Sequence, residues 1–284
     1  MTKIWLIGGT QESRILAQRL VSARIPTTVT MTTDAARSLY PESDLLTLAV
    51  DRLTPETLPE FLHRHAIGAI LDASHPFAVQ ISELAIATAQ AHDIPYLRFE
   101  RPSTNGASAS DAAPSHAEES LAMQPNPLEP QPRLVVPSID GLLAGEMLIG
   151  RRVLLTIGYR LLPLFQPWQE KATLFARILP SQTALAAALD AGFTGDRLIA
   201  LRPPIQVDLE RALWNQWSIE TVVTKASGAP GGEDTKRQLA QELGIQLITI
   251  ARPPVAYPAQ TQDVDEAIAL LMRLAIGSGR SALP

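Results

Sequence analysis

"IWLIGGTQESRILAQRL", residues 4–20, decides how this chain folds. An apolar run stops at Gly8, Gly9 and Thr10, and a helical pattern follows in which Ile15, Leu16 and Leu20 share a face. A buried strand that passes through a bare turn into a helix opens a βαβ unit. The alternation continues. "TTVTMTT" (27–33) reads as a β-branched strand, and "TPETLPEFLHRHA" as a helix from Thr54 with Pro55 in its favourable first position. "AIGAILDAS" (66–74) contains another buried strand, "HPFAVQISELAIATAQAHD" is helical with a proline near its start, and "IPYLRFERP" closes the series as a strand. Strands alternating with helices make the fold class α/β with a parallel sheet.

Composition narrows the possibilities. The chain has 284 residues, enough for two ordinary domains, and 46% of them are hydrophobic, enough to fill their cores. The net charge of −5 argues against a nucleic-acid partner, since no global positive field attracts phosphate. There is no cysteine, which removes disulfides and thiolate chemistry and fits a cytoplasmic protein. No apolar run approaches the roughly 18 residues of a membrane span, and the N-terminus leads straight into a strand without a signal-peptide pattern. His63 and His65 stand two apart on a helix and point to different faces, so no metal site is expected.

The character changes at residue 103. Residues 103–133 are rich in Ser, Ala, Pro and Asn with few large apolar groups, and read as a low-complexity linker or insertion. Beyond it the strand–helix alternation resumes through "RRVLLTIGYR", "TLFARIL", "PSQTALAAALDAG", "DRLIAL", "IETVVTKASG", "GGEDTKRQLAQELG" and "IQLITIARPP", and a last helix spans 264–276. The two ordered regions repeat one plan. "LIGGT" and "TIGYR" end a strand in Gly, "ILDASHP" and "VVTKASG" in Ala-Ser, "IPYLRFERP" and "IQLITIARP" in Arg-Pro. Gly8 lies 66 residues before Ser74, and Gly158 lies 69 before Ser227. Three matches in one order point to an internal duplication. The expected organisation is one Rossmann-like domain at 1–102, a second at 134–257, and a tail at 258–284 whose domain is open.

Ligands of open parallel sheets bind at the carboxyl ends of strands, where these turns lie. Gly8 and Gly9 let a ligand approach the backbone, and the helix after them aims N–H groups and a positive dipole end at the same place. That suits phosphate, although the G-x-G-x-x-G order is missing and a plain tight turn is the competing reading. The second strand ends in Thr32 and Thr33, with Asp34 displaced beyond them and Arg37 nearby, which leaves room for the 2′-phosphate of NADP. "DASHPFA" places Ser74 and His75 where they either cap the helix opened by Pro76 or face a cofactor. "TKASGAPGGEDTK" offers Lys225, Ser227 and Gly228 in a turn that is either an anion loop or a flexible surface loop. Arg101, Arg160, Arg177, Arg202, Lys225 and Arg252 stand at strand ends or just beyond, a set that suits a substrate with several carboxylates or else consists of separate solvated cations.

Taken together, "GGTQES", "LDASHPFA", "IPYLRFERP", "LTIGYR", "LFARILPS", "ALRPPI", "VVTKASGAPGGEDTK" and "ITIARP" resemble, in order, the precorrin-6A reductase family of cobalamin biosynthesis, over roughly 3–102 and 151–253. The 103–133 stretch departs from the family, and Asp51 stands where it would have a glycine. The resemblance implies a nicotinamide cofactor, NADPH or else NADH, in a cleft between two Rossmann-like domains, and hydride transfer to one double bond of a macrocyclic tetrapyrrole. On that basis Gly8, Gly9, Thr10, Ser13, Thr32, Thr33, Ser74, His75, Pro76, Gly158, Lys225, Ser227 and Gly228 are expected at the cofactor. Tyr159, Arg160, Arg177 and Arg101 are expected at the substrate, with no catalytic acid assigned and a monomeric state. Another nucleotide-dependent small-molecule reductase, or a dinucleotide sensor without catalysis, are the alternatives.

Overall fold

The computed structural model describes residues 3–102 and 133–277. The 103–133 linker expected from the sequence lies outside them except for Arg133. Contacts divide the described chain into two units. One holds the residues up to Pro102 together with those from Pro253 on, and the other holds the rest up to Arg252.

The first unit begins with β1 (Lys3–Ile7), α1 (Gln11–Ser22), β2 (Thr27–Met31), β3 (Leu46–Val50), α2 (Leu58–Arg64), β4 (Ile67–Asp72), α3 (Val79–Ala91) and β5 (Tyr96–Phe99). The second contains β6 (Leu134–Val136), α4 (Ile139–Ala144), β7 (Arg152–Leu155), β8 (Thr173–Ile178), α5 (Gln182–Asp190), β9 (Leu198–Ala200), α6 (Val207–Gln216), β10 (Thr221–Lys225), α7 (Glu233–Leu243) and β11 (Gln246–Ile250). The chain then returns to the first unit with β12 (Gln260–Thr261) and α8 (Val264–Gly277).

Both sheets have six parallel strands, ordered β3-β2-β1-β4-β5-β12 and β9-β8-β7-β10-β11-β6. Each reproduces the 3-2-1-4-5-6 order of a dinucleotide-binding sheet. The sixth strands are exchanged. After β5 the chain supplies β6 to the second sheet, and after β11 it supplies β12 to the first. Each exchanged strand is followed, two residues past its end, by an N-cap. Ser138 Oγ accepts the Gly141 N–H at 3.1 Å, and Asp263 Oδ1 accepts the Glu266 N–H at 2.8 Å. The repeat therefore extends to the crossover itself.

Alternation along β1 loads both faces of the first sheet. Ile4 and Leu6 pack with Leu16 and Leu20 of α1 and Ala267 and Leu271 of α8. Trp5 and Ile7 pack with Leu58 and Phe61 of α2 and Ala85 of α3. In the second unit Leu154, Phe175 and Val222 pack with Trp214 of α6 and Leu239 of α7.

Several boundaries differ from the sequence reading. The helix expected from Thr54 starts at Leu58, because Thr54 and Thr57 close a turn on each other first, Thr57 Oγ1 accepting the Thr54 N–H at 2.9 Å. Residues from Pro253 to Tyr257, read with the second half, pack with the first, Tyr257 lying parallel to Tyr96 with ring centres 6.5 Å apart. The tail's domain is settled the same way by β12 and α8. Among the described residues no helix is long and apolar enough to cross a membrane.

Candidate functional site

β1 ends at Ile7, and the next three residues build a turn with little slack. A Cβ on Gly8 would lie 2.3 Å from Tyr40 Oη and 2.9 Å from Val29 Cγ1, so only glycine lets β1 pass this close to β2. Gly9 has φ +91° and nothing within 4 Å of where its Cβ would be, an exposed bare stretch of backbone. Thr10 caps α1. Its Oγ1 accepts the Ser13 N–H at 3.1 Å and donates to the Ala73 carbonyl at 2.8 Å, and Ser13 Oγ accepts the Thr10 N–H at 3.0 Å. Ser13 is fully buried, and its hydroxyl also meets Tyr40 Oη at 2.7 Å. It shapes the turn from behind and does not face a ligand. Tyr40, which the sequence reading did not single out, accepts the Gly9 N–H at 2.7 Å, and burial raises its pKa against those two hydrogen bonds. The N–H groups left for an anion are those of Gln11 and Glu12 in the first turn of α1. Glu12 does not oppose one, because Arg101 pairs with it at 2.8 Å. Arg101 is thus a buried partner of Glu12 and not the free cation expected for a substrate carboxylate.

Thr32 and Thr33 follow β2 and are exposed. Asp34 is held by Arg37 Nε at 2.7 Å, and Arg37 Nη1 donates to the Leu48 carbonyl at 3.2 Å.

The turn after β4 is the most heavily bonded part of the site. Asp72, fully buried, accepts the Ser74 N–H at 2.9 Å and Arg98 Nη1 at 3.0 Å on Oδ1, and the hydroxyls of Ser82 and Tyr96 at 2.6 Å each on Oδ2. Arg98, only 1% exposed, also donates from Nη1 to Ser74 Oγ at 3.1 Å and from Nε to Glu100 at 2.8 Å, with the Tyr257 ring 5.1 Å away. Burial alone would depress the Arg98 pKa; Asp72 and Glu100 raise it above its ordinary value, so the guanidinium stays charged. Burial and the Asp72 charge drive the Tyr96 phenol far upward, so it remains a donor. Neither Ser74 nor His75 caps a helix. α3 starts at Val79 with Ala78 as its cap, and a turn intervenes in which the Ala78 N–H reaches the His75 carbonyl at 2.7 Å. His75 Nδ1 accepts the Phe77 N–H at 3.2 Å, and Pro76 is buried within this turn.

In the second unit the matching glycine is Gly158, exposed, at φ +81° with open space where a Cβ would stand. It begins a 3₁₀ segment, Tyr159–Trp168, with Tyr159 half-buried and Arg160 exposed over its ring. Lys225 ends β10 as Asp72 ends β4. Burial and the charge of Arg160 push its pKa down to about 8. Ser227 is buried against Gly231, whose Cβ would lie 1.9 Å from Ser227 Oγ, so that glycine is required by the packing. The loop binds itself. Glu233 accepts the Gly228 N–H at 2.9 Å and Arg133 at 3.2 Å, and the buried Lys236 ammonium donates to the Gly231 carbonyl at 2.7 Å. Gly228 therefore has no N–H to offer a ligand. Arg177 is in an ion pair with Glu210, so it too is matched from within the fold. Of the expected basic set, Arg160 and Lys225 are the two that stand together.

Two parallel sheets in dinucleotide-binding order, one with an open glycine turn over a helix N-terminus and the other with paired basic groups at its strand ends, define a protein of the two-unit Rossmann-like class. The chain belongs to the precorrin-6A reductase family, oxidoreductases of cobalamin biosynthesis that act on a CH–CH bond: the family described as "Precorrin-6x reductase CbiJ/CobK" matches residues 3–272. It is 48% identical over 269 residues to the cobalt-precorrin-6A reductase of Synechocystis sp., covering 94% of both chains, and 30% identical to the precorrin-6A reductase of Rhodococcus erythropolis, again covering 94% of both. The solved structure of CobK precorrin-6A reductase superimposes with a TM-score of 0.70 at 22% identity, covering 96% of this chain and 97% of that one, and so shares the fold.

Proposed function

We propose that the chain reduces one double bond of the cobalt-precorrin-6A macrocycle with NADPH, giving the 6B form, as a cytoplasmic monomer. The observation that carries the cofactor half is the Gly9 turn. It stands at the strand end where the sheet order switches between β2 and β4, its Cβ direction is open, and the N–H groups of Gln11 and Glu12 lie just beyond it. These residues fit a dinucleotide phosphate. Thr32 and Thr33 stand on the adenosine side, without an acid at the strand end to reject a 2′-phosphate, and Asp34 is neutralised by Arg37. Ser74, His75 and Pro76 lie toward the nicotinamide. When bound, the reduced nicotinamide supplies the hydride. The second unit's Gly158, Tyr159, Arg160 and Lys225 are assigned to cofactor and substrate together, with Arg160 and Lys225 holding substrate carboxylates by charge-assisted hydrogen bonds; Ser227 is buried and the Gly228 N–H is taken by Glu233, so neither is assigned a ligand. The carbon next to the one that takes the hydride must take a proton. The chain's task is to align the two reactants and match charge. The cobalt form is preferred because the Synechocystis relative at 48% identity carries that name.

The test is a titration of the purified protein with NADPH and NADH by fluorescence, followed by turnover of precorrin-6A with and without cobalt. The expected result is tight NADPH binding, weaker NADH binding and faster turnover of the cobalt form. Arg37→Ala should narrow the gap between the two nucleotides. Nucleotide binding without turnover of either tetrapyrrole would favour a sensor. Gel filtration at the size of a dimer would remove the monomer.

A further inference from the structure

The two sheets form from one plan, so a feature present in only one of them is not needed to build the sheet. Across the fourth and fifth strands, Asp72 stands opposite Arg98 in the first unit and Lys225 stands opposite Ile250 in the second. β10 and β11 pair without a buried ion pair at that place. The charges of the first unit must therefore answer to something other than strand pairing.

What Arg98 adds is reach. From β5 its Nη1 crosses to Ser74 Oγ, on the turn after β4, while Asp72 Oδ1 holds the N–H of the same residue. Ser74 is gripped at two atoms. The residue before it is held as well, since Thr10 Oγ1 donates to the Ala73 carbonyl from the glycine turn of β1. The residue after it is His75. Its Nδ1 accepts the Phe77 N–H, which orients the ring. A planar guanidinium is the one side chain that meets Asp72, Ser74 and Glu100 from a single position. Tyr257, on the segment that returns from the second unit, covers it.

We propose that Arg98 is a positioning residue: acting through Ser74, it fixes the turn that carries His75 against the bound dinucleotide. This rests on the reading that the dinucleotide binds at the Gly9 turn. Arg98 does not touch the ligand; it removes the freedom of the turn that does.

The test uses the full chain with NADPH as the probe. Ser74→Ala keeps Asp72 and Arg98 paired and removes the hydroxyl through which Arg98 reaches the turn, along with a long contact to Ser82 Oγ at 3.5 Å. It should weaken NADPH binding about tenfold, the scale of one charge-assisted hydrogen bond, with the melting temperature and the KM for tetrapyrrole almost unchanged. Arg98→Lys should weaken it by a similar factor, and the double variant should be no weaker than Arg98→Lys alone, because both break one link. Wild-type NADPH affinity in Ser74→Ala, or additive losses in the double variant, would overturn the positioning role. Gly9→Asp separates the two ideas. It places a negative charge on the exposed turn, at the cost of some backbone strain at φ +91°, and should abolish NADPH binding while the melting temperature shows that the chain still folds. If Gly9→Asp binds normally, the dinucleotide reading fails and the positioning role goes with it. If Gly9→Asp fails to bind while Ser74→Ala is normal, only the positioning role is lost.

Discussion

The fourth strand of the first sheet ends in a carboxylate with four hydrogen bonds and no exposure, and the fourth strand of the second ends in a half-buried ammonium beside an arginine. The scaffolds match strand for strand; the charges do not. In the first unit the buried cations at the strand ends are matched by acids, Arg98 by Asp72 and Glu100, and Arg101 by Glu12. In the second, Lys225 and Arg160 repel each other enough to help lower the lysine's pKa. The strand end of the first unit is fixed from within by its own charge pairs. The strand end of the second brings Lys225 near Arg160 in place of a carboxylate, which is the difference on which the proposed substrate side rests.

The sharpest way to break this contrast is to remove both groups. Asp72→Ala leaves the Arg98 guanidinium buried with Glu100 alone and should cost about 3–5 kcal/mol in chemical unfolding. Lys225→Met removes a cation that is partly desolvated beside another and should stay within about 1 kcal/mol of the parent. Equal losses would mean that Lys225 is as structural as Asp72.

Much of this was legible in the sequence, and the failures have physical reasons. The glycine turn, the Ala-Ser strand ends and the duplicated plan are local signals, and they led to the right sheets. β3 went unnoticed because it is an edge strand with only partly buried residues and weak alternation. β6 and β12 have three and two residues, and their partners lie in the sheet begun by the other half, so no local pattern announces them. At the site, Ser74 and His75 stood out, but the residues that hold them did not. A signal was there: Asp72 and Arg98 are charges inside otherwise apolar strands, "AILDAS" and "YLRF", and a charge in a buried strand requires a partner. Tyr40 and Tyr257 could not have been assigned, since each reaches the site from a segment distant in the chain.

A smaller effect separates the two glycine turns. Gly8→Ala must displace Tyr40 and Val29 and should cost about 1–3 kcal/mol, with a loss of NADPH affinity because Tyr40 holds the Gly9 N–H. Gly158→Ala meets no atom within 4 Å and suffers only its positive φ, a cost of about 1 kcal/mol. A larger loss at Gly158 would show that the second turn is packed as closely as the first.

The charge contrast also makes a pH prediction. Lys225 loses its proton as the pH rises through about 8, so affinity for a carboxylate-bearing tetrapyrrole should fall from pH 7 to pH 9. Lys225→Arg should remove that limb of the profile, because arginine keeps its charge. For folding the sign is opposite. The lysine's pKa is lower in the fold than the ordinary 10.5, so the cost of its burial is full below about pH 8 and is relieved as the pH climbs from about 8 to 10.5. Affinity independent of pH over this range would remove Lys225 from the substrate side.

The smallest expected effects lie where the two halves exchange strands, and there the halves should behave alike. Ser138 and Asp263 each cap the helix that follows an exchanged strand, at the same offset and through the same N3 amide. Replacing either by alanine should cost about 1 kcal/mol. Asp263→Ala should lie at the upper end, because its charge also meets the positive end of a helix of fourteen residues, whereas α4 has six. The neighbouring Arg19–Asp265 pair is largely exposed at both ends, and Asp265→Asn should change stability by less than about 0.5 kcal/mol. If urea unfolding showed a large loss for Asp263→Ala and none for Ser138→Ala, the two crossovers would not be equivalent. The return of β12 and α8 would then be a condition for the first sheet to stand, while β6 and α4 would be a dispensable edge.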